Sequence, residues 1–233
     1  MSPADRIIVA VDRPDAHGFW SVVEPLAERT DARWLKIGSV LFCAEGPQLV
    51  REVVSRGFNV FLDLKLHDIP HQVGLTVGCL RDLGVKLLTV HTSGGPNMLE
   101  AAVSAADGQV GLLGVTVLTS HDPGNLEATA VTSSIVEVVT KRARLASELG
   151  LSGIVCSPHE VSEVKRLLRP GLEIVTPGIR PSRHEADDQK RTATPNEALS
   201  AGATRLVIGR PITAAADPCA AYDGIAAAIG SLS

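Results

Sequence analysis

Aromatic residues are scarce in this chain of 233 residues: Phe, Trp and Tyr together make up 3% of it. A hydrophobic core must therefore be built from Val, Ile, Leu and Ala. Positive charge is not in excess either. Lys and Arg number 22 against 26 Asp and Glu, a formal net charge of −4, which excludes the broad basic field of a general nucleic-acid binder. An anionic ligand would have to be held by a few local cations. Only four cysteines occur, at 43, 79, 156 and 219, widely spaced and without a C-x-x-C pair, so they read as reduced residues of a cytosolic protein. No stretch reaches the roughly 18 uncharged apolar residues of a membrane span. Asp5, Arg6 and Asp12 interrupt any apolar opening of signal length, and the expected location is the cytoplasm. H-E-x-x-H, G-x-S-x-G and Walker-type sequences are missing. Gly94-Gly95 lacks dinucleotide-binding spacing, and His91 reads as a structural residue at a strand end. No dedicated metal cluster is apparent, although Asp63 and Asp68 are carboxylates suited to Mg²⁺.

What is present is a regular alternation. Short β-branched runs such as Ile7-Ile8-Val9-Ala10-Val11 fit strands covered on both faces, as in a parallel sheet. Candidate strands fall at residues 6–11, 34–38, 59–65, 87–91, 111–118, 153–156, 173–176 and 205–208. Segments with apolar residues at helical spacing lie between them, at 46–56, 70–83, 134–149 and 158–168. Ser157-Pro158-His159-Glu160 and Thr194-Pro195-Asn196-Glu197 have the grammar of capping boxes with Pro in the first helical position. Gly57, Gly84 and Gly150 follow helical segments, where a left-handed residue is useful. Eight βα units in a chain of this length predict one (β/α)8 TIM barrel across residues 1–233. A doubly wound open sheet is the alternative architecture.

The most informative stretch is Asp63-Leu64-Lys65-Leu66-His67-Asp68-Ile69-Pro70. Side chains alternate along a strand, so Asp63 and Lys65 are expected on one side, inward and near the C-terminal mouth where barrel active sites are built. Charges inside a barrel are tolerated when they pair or do work. One salt bridge filling the barrel is the plainer reading. Asp12 ends the first strand and Lys36 lies within the second, which suggests an alternating Asp/Lys array at one mouth, although Asp12 also suits a helix N-cap. Opposite charges about 4 Å apart attract by roughly 4 kcal/mol at an effective dielectric near 20, enough for such an array to hold Lys65 in place as a proton donor. Thr176-Pro177-Gly178-Ile179-Arg180 and Ile208-Gly209-Arg210-Pro211-Ile212 follow strands seven and eight, the usual phosphate loops of this barrel. Glycine admits backbone N–H groups to a phosphate and Arg adds a planar fork of donors. An ordinary turn with a solvated Arg remains the alternative. The polar stretch 181–191 reads as a gripping loop or a surface loop.

These residues resemble orotidine 5′-phosphate decarboxylases, in their bacterial form. DLKLHDIP at 63–70 looks like the family signature, and the ordered set extends over nearly the whole chain: AVD ending at Asp12, KIG at 36–38, VLTS at 117–120, TPGIR at 176–180, DDQKR at 187–191 and GRPI at 209–212. The resemblance implies decarboxylation of orotidine monophosphate (OMP) to uridine monophosphate (UMP) without a cofactor or metal. It implies that Lys65 protonates C6 of the pyrimidine, flanked by Asp63 and Asp68. It implies a homodimer in which Asp68 acts in the neighbouring subunit's site, with no nucleic-acid or membrane partner. Asp12 and Lys36 resemble ligands of the ribose and charge network. Ile69, Thr119 and Pro177 resemble substrate-lining residues, with Thr119 facing the pyrimidine. Arg180, Gln189, Gly209 and Arg210 resemble the phosphate set, with Gln189 on the gripping loop. One departure is visible: His71-Gln72 stand where the family commonly has Asn-Thr, and Gln72 is a longer hydrogen-bonding side chain than the family's Thr near the ribose. Sugar-phosphate decarboxylases and aldolase-like synthases share Asp-x-Lys-x-x-Asp but use Mg²⁺, and a catalytically silent nucleotide-phosphate binder is a reading of another class. The Ile-Pro after Asp68 and the DDQKR stretch argue against the Mg²⁺ enzymes, and intact Lys65, Asp63 and Asp68 argue against the silent binder.

Overall fold

A computed structural model describes residues 1–181 and 191–230. Eight parallel strands close into a barrel in chain order: β1 (Ile7–Ala10), β2 (Trp34–Gly38), β3 (Asn59–Leu66), β4 (Leu87–His91), β5 (Gly111–Val115), β6 (Gly153–Val155), β7 (Glu173–Thr176) and β8 (Arg205–Ile208). The helices are α1 (Pro3–Arg6), α2 (Ala16–Arg29), α3 (Ser39–Ser55), α4 (Pro70–Arg81), α5 (Gly95–Ala106), α6 (Pro123–Ala128), α7 (Ile135–Glu148), α8 (Val161–Lys165), α9 (Pro195–Ala201), α10 (Arg210–Thr213) and α11 (Pro218–Gly230). The closed barrel is the (β/α)8 architecture, and the open doubly wound sheet is set aside.

Alternation along each strand creates two cores. Ile8, Ala10, Trp34, Phe61, Leu87, Leu113, Val175 and Val207 fill the barrel interior. Their neighbours, including Ile7, Val9, Leu35, Ile37, Val60, Leu62, Ile174 and Leu206, pack outward against helix residues such as Phe19, Leu26, Val77 and Tyr222. Full burial of each such side chain contributes about 1.5–3 kcal/mol relative to exposure. Because both faces are covered, the strands read as unbroken apolar runs.

The ends of the barrel interior are polar, and the two ends differ. At the N-terminal end Arg205 donates to Glu173 at 3.1 Å and to the Asp5 carbonyl at 2.6 Å. Its guanidinium stacks 4.1 Å above the Trp34 ring. Gly153 faces this plug, since a Cβ there would stand 2.3 Å from the Glu173 carbonyl oxygen. The C-terminal end carries the Asp/Lys residues described below.

Several boundaries differ from those expected. The fifth strand ends at Val115 rather than residue 118, because β6 stops at Val155 and offers no edge beyond it. Thr116 uses both its N–H and its hydroxyl on the Val155 carbonyl, and the chain then turns. The helix expected from 46 begins at Ser39 and breaks at Gly46, whose φ of 66° supplies the kink. The segment 158–168 is a 3₁₀ turn (Pro158–Glu160) followed by α8. Ser157 and Thr194 both form capping boxes.

Candidate active site

The site is built where β1, β2, β3 and β4 end. Lys36 is buried on β2, and its ammonium donates to Asp12 Oδ1 at 2.7 Å and lies 3.8 Å from Asp63 Oδ2. Lys65 Nζ donates to the same Asp63 oxygen at 2.8 Å. Asp12, Lys36, Asp63 and Lys65 thus form one continuous row of alternating charge. Asp12 is exposed and does not cap α2; Asp15 accepts the Gly18 N–H instead. Gly38 makes room for the row, because a Cβ there would stand 3.0 Å from Asp12 Oδ1 and 3.2 Å from Lys36 Nζ.

Lys65 does not continue the regular strand. Its φ is 51°, in the left-handed region that non-glycine residues rarely adopt. The pairing of β3 with β4 shifts register between Leu62 and Leu66 at the same place. Simple alternation put Asp63 and Lys65 on one side; the structure brings them together through this bulge. Thr89 holds the geometry. Fully buried on β4, its hydroxyl accepts the Lys65 N–H at 2.8 Å and donates to Asp63 Oδ1 at 3.0 Å. Thr89 escaped the sequence reading. Its signal was a polar residue two positions after inward-facing Leu87, in an otherwise apolar run.

Asp68 stands apart. It is exposed, its carboxylate accepts the Ile69 N–H at 2.6 Å, and among the described residues it makes no ion pair with Lys65. Ile69 is 62% exposed, and His71 and Gln72 are exposed in the first turn of α4. Beside this loop His67 stacks on His91 at 5.5 Å, and the His91 Nδ1 meets the Ser93 hydroxyl at 2.5 Å. Burial, with Arg142, His67, His121 and Lys65 around it, pushes His91 down to about 4, so its ring is neutral near pH 7.

On the opposite rim, Pro177 and Gly178 follow β7, with Gly178 at φ 80°. Arg180 is buried, and its guanidinium donates to the Ile179 carbonyl at 2.8 Å. Gly209 precedes α10, and Arg210, its first residue, is exposed. Thr119 lies half-buried in the turn after β5, whose closing bond runs from the His121 N–H to the Leu118 carbonyl at 2.9 Å. Gln189 lies outside the described residues. Among the described residues no group of three or more His, Cys, Asp or Glu is placed to hold a metal ion.

A row of two ammonium groups and two carboxylates, half-open to the mouth and facing loops rich in glycine and arginine, suits a small anionic substrate whose reacting end gains negative charge. Comparison with known proteins bears on which substrate. Residues 5–225 match the orotidine 5′-phosphate decarboxylase / HUMPS family. The orotidine 5′-phosphate decarboxylase of Halorhodospira halophila is 47% identical, over 97% of this chain and 96% of the relative. That of an Anaeromyxobacter species is 45% identical, over 98% and 100%. The crystal structure of orotidine 5′-phosphate decarboxylase from Lactobacillus acidophilus superposes with a TM-score of 0.86 at 33% identity, covering 97% of this chain and 99% of that one.

Proposed function

The chain belongs to the orotidine 5′-phosphate decarboxylase / HUMPS family, and on that premise we propose that it is a carboxy-lyase converting OMP to UMP and CO2 in pyrimidine biosynthesis. The observation that carries this reading is the Asp12–Lys36–Asp63–Lys65 row at the barrel mouth. Decarboxylation breaks the bond from C6 to the carboxylate and leaves the electron pair on C6. The Lys65 ammonium stabilises that charge as it forms and then delivers a proton to C6, and the amine regains a proton from water. Asp63 and Thr89 fix the ammonium in place, which lowers the reorganisation needed during the reaction. Asp12 and Lys36 bind the ribose hydroxyls, and Ile69, Thr119 and Pro177 line the pyrimidine end. Arg180, Gln189, Gly209 and Arg210 hold the phosphate. Binding energy from that remote group contributes to transition-state stabilisation at C6. The chemistry proposed uses no cofactor.

The proposal includes a homodimer in which Asp68 completes the partner's site. Two observations support it: Asp68 is exposed and makes no ion pair with its own Lys65, and the adjoining Ile69 and Leu75 are apolar yet 62% and 56% exposed. No helix of the described residues is long and apolar enough to cross a membrane, and with four free cysteines the reading places the enzyme in the cytoplasm.

The test is the fall of OMP absorbance on mixing with purified protein in the presence of a chelator. Conversion to UMP that survives the chelator is expected. No conversion by the intact protein would overturn the reading, and a Mg²⁺-dependent sugar-phosphate assay would then be the next experiment.

A further inference from the structure

Arg191 and Glu160 form a buried ion pair that the proposed chemistry does not use. Their side chains are 13% and 5% exposed. The Glu160 carboxylate accepts from Arg191 Nη1 through one oxygen and from the Ser157 N–H, at 3.0 Å, through the other. Burial pushes this carboxyl up from its ordinary value, opposed by Arg191, by the Ser157 N–H and by His159.

The other end of the guanidinium reaches a different loop. Arg191 Nη2 donates to the Leu118 carbonyl at 3.2 Å. That carbonyl also accepts the His121 N–H, so one oxygen closes the turn carrying Thr119 and receives Arg191. Along its own chain Arg191 lies two residues from Ala193, which bridges Ile179: the Arg180 N–H donates to the Ala193 carbonyl at 2.9 Å, and the Ala193 N–H to the Gly178 carbonyl at 3.2 Å. One guanidinium therefore joins the turn after β5, the capping turn after β6 and the base of the loop after β7. Its Nε is buried and has no hydrogen-bond partner among the described residues.

We propose that Arg191 is a positioning residue that, with Glu160 as its fixed point, locks the Thr119 turn to the base of the β7 loop. The pyrimidine side and the phosphate side of the site then move as one frame, so that holding the phosphate orders the turn over the base. The coupling itself is independent of the substrate's identity; its catalytic meaning rests on the decarboxylase reading.

Two variants test it: Arg191→Met, and Glu160→Gln, which keeps an acceptor for the Ser157 N–H. The first measurement is amide hydrogen exchange of the free protein. Exchange at His121 is expected to quicken by at least about tenfold in both variants, while Thr116, bonded to Val155, stays as in the parent. Unchanged exchange at His121 overturns the proposal whether or not the protein turns over OMP. The second compares kcat/KM for OMP with that for orotidine, which lacks the phosphate. The ratio is expected to fall by at least about tenfold, with orotidine turnover nearly unchanged, because the phosphate's contribution no longer reaches the turn. An equal loss on both substrates marks a merely structural role and overturns the coupling. A parent protein inert towards OMP would sink the decarboxylase reading alone.

Discussion

Lys65 reaches Asp63 at 2.8 Å from a left-handed backbone. A residue two positions along a regular strand would present its side chain parallel to Asp63. The bulge instead brings the ammonium onto the carboxylate and leaves the Lys65 side chain 39% exposed. Strain of this kind costs on the order of 1–3 kcal/mol and persists where the surroundings over-determine it.

Replacement of Lys65 by Ala should therefore abolish turnover. General-acid and electrostatic contributions lost together predict a fall in kcat of at least about 10⁴-fold. UMP binding, followed by calorimetry, should persist, since the loops proposed to hold the phosphate are untouched. Residual activity within tenfold of the parent would remove Lys65 from the proton-donor role.

Asp68 gives a test of the dimer. If the proposed homodimer forms, the Lys65→Ala and Asp68→Asn proteins should each be nearly inactive. Mixing them with subunit exchange should restore about a quarter of parental activity, because half the dimers are then mixed and each has one site with both residues intact. If Asp68 served its own chain, mixing would restore nothing.

Thr89→Val removes the hydroxyl that both accepts the Lys65 N–H and donates to Asp63. A loss of roughly 1–3 kcal/mol in stability is expected from leaving those groups unpaired, read as a lower denaturation midpoint. The same variant should lower kcat by at least about tenfold with little change in UMP affinity, because ammonium placement is disturbed while the proposed phosphate set is intact. A stability loss without any kinetic effect would make Thr89 a packing residue only.

Acid stability should show the signature of His91. Its folded value of about 4 lies below the ordinary 6.5, so across that window the unfolded chain binds a proton that the folded chain refuses. Stability should rise with pH through the window, be fully present above it, and be lost as pH falls towards 4. The groups facing this ring, Arg142, His67, His121 and Lys65, all disfavour its charging. Thermal denaturation of parent and His91→Asn should show the parent losing ground to the variant on going from about pH 7 to about pH 5. A constant difference would mean that His91 does not titrate in this way.

Legibility in the sequence followed physical reach. Runs such as Leu87-Leu88 and Ile7-Ile8-Val9 announced strands because burial on both faces demands apolar residues throughout. The capping boxes at Ser157 and Thr194 were equally plain, since their partners lie three residues away. The end of β5 was hidden because it is set by the shortness of β6, a neighbour distant in the chain. Asp12, Lys36, Asp63 and Lys65 could be nominated from strand ends, but not the left-handed turn that joins the last two. Thr89, Glu160 and Arg191 act through bonds spanning tens of residues, and no local pattern in the chain points from one partner to the other.

The Glu173–Arg205 plug under Trp34 closes the foot of the barrel, and the apolar interior above it is packed with side chains. Among the described residues, that end of the vessel is thus filled by side chains. On the proposed chemistry, carbon dioxide released at C6 departs by the aperture through which the nucleotide arrived. On that reading, egress of the gas and of UMP share one route, and whatever narrows that aperture over the bound nucleotide also governs how long the carbon dioxide stays within reach of the carbon it left.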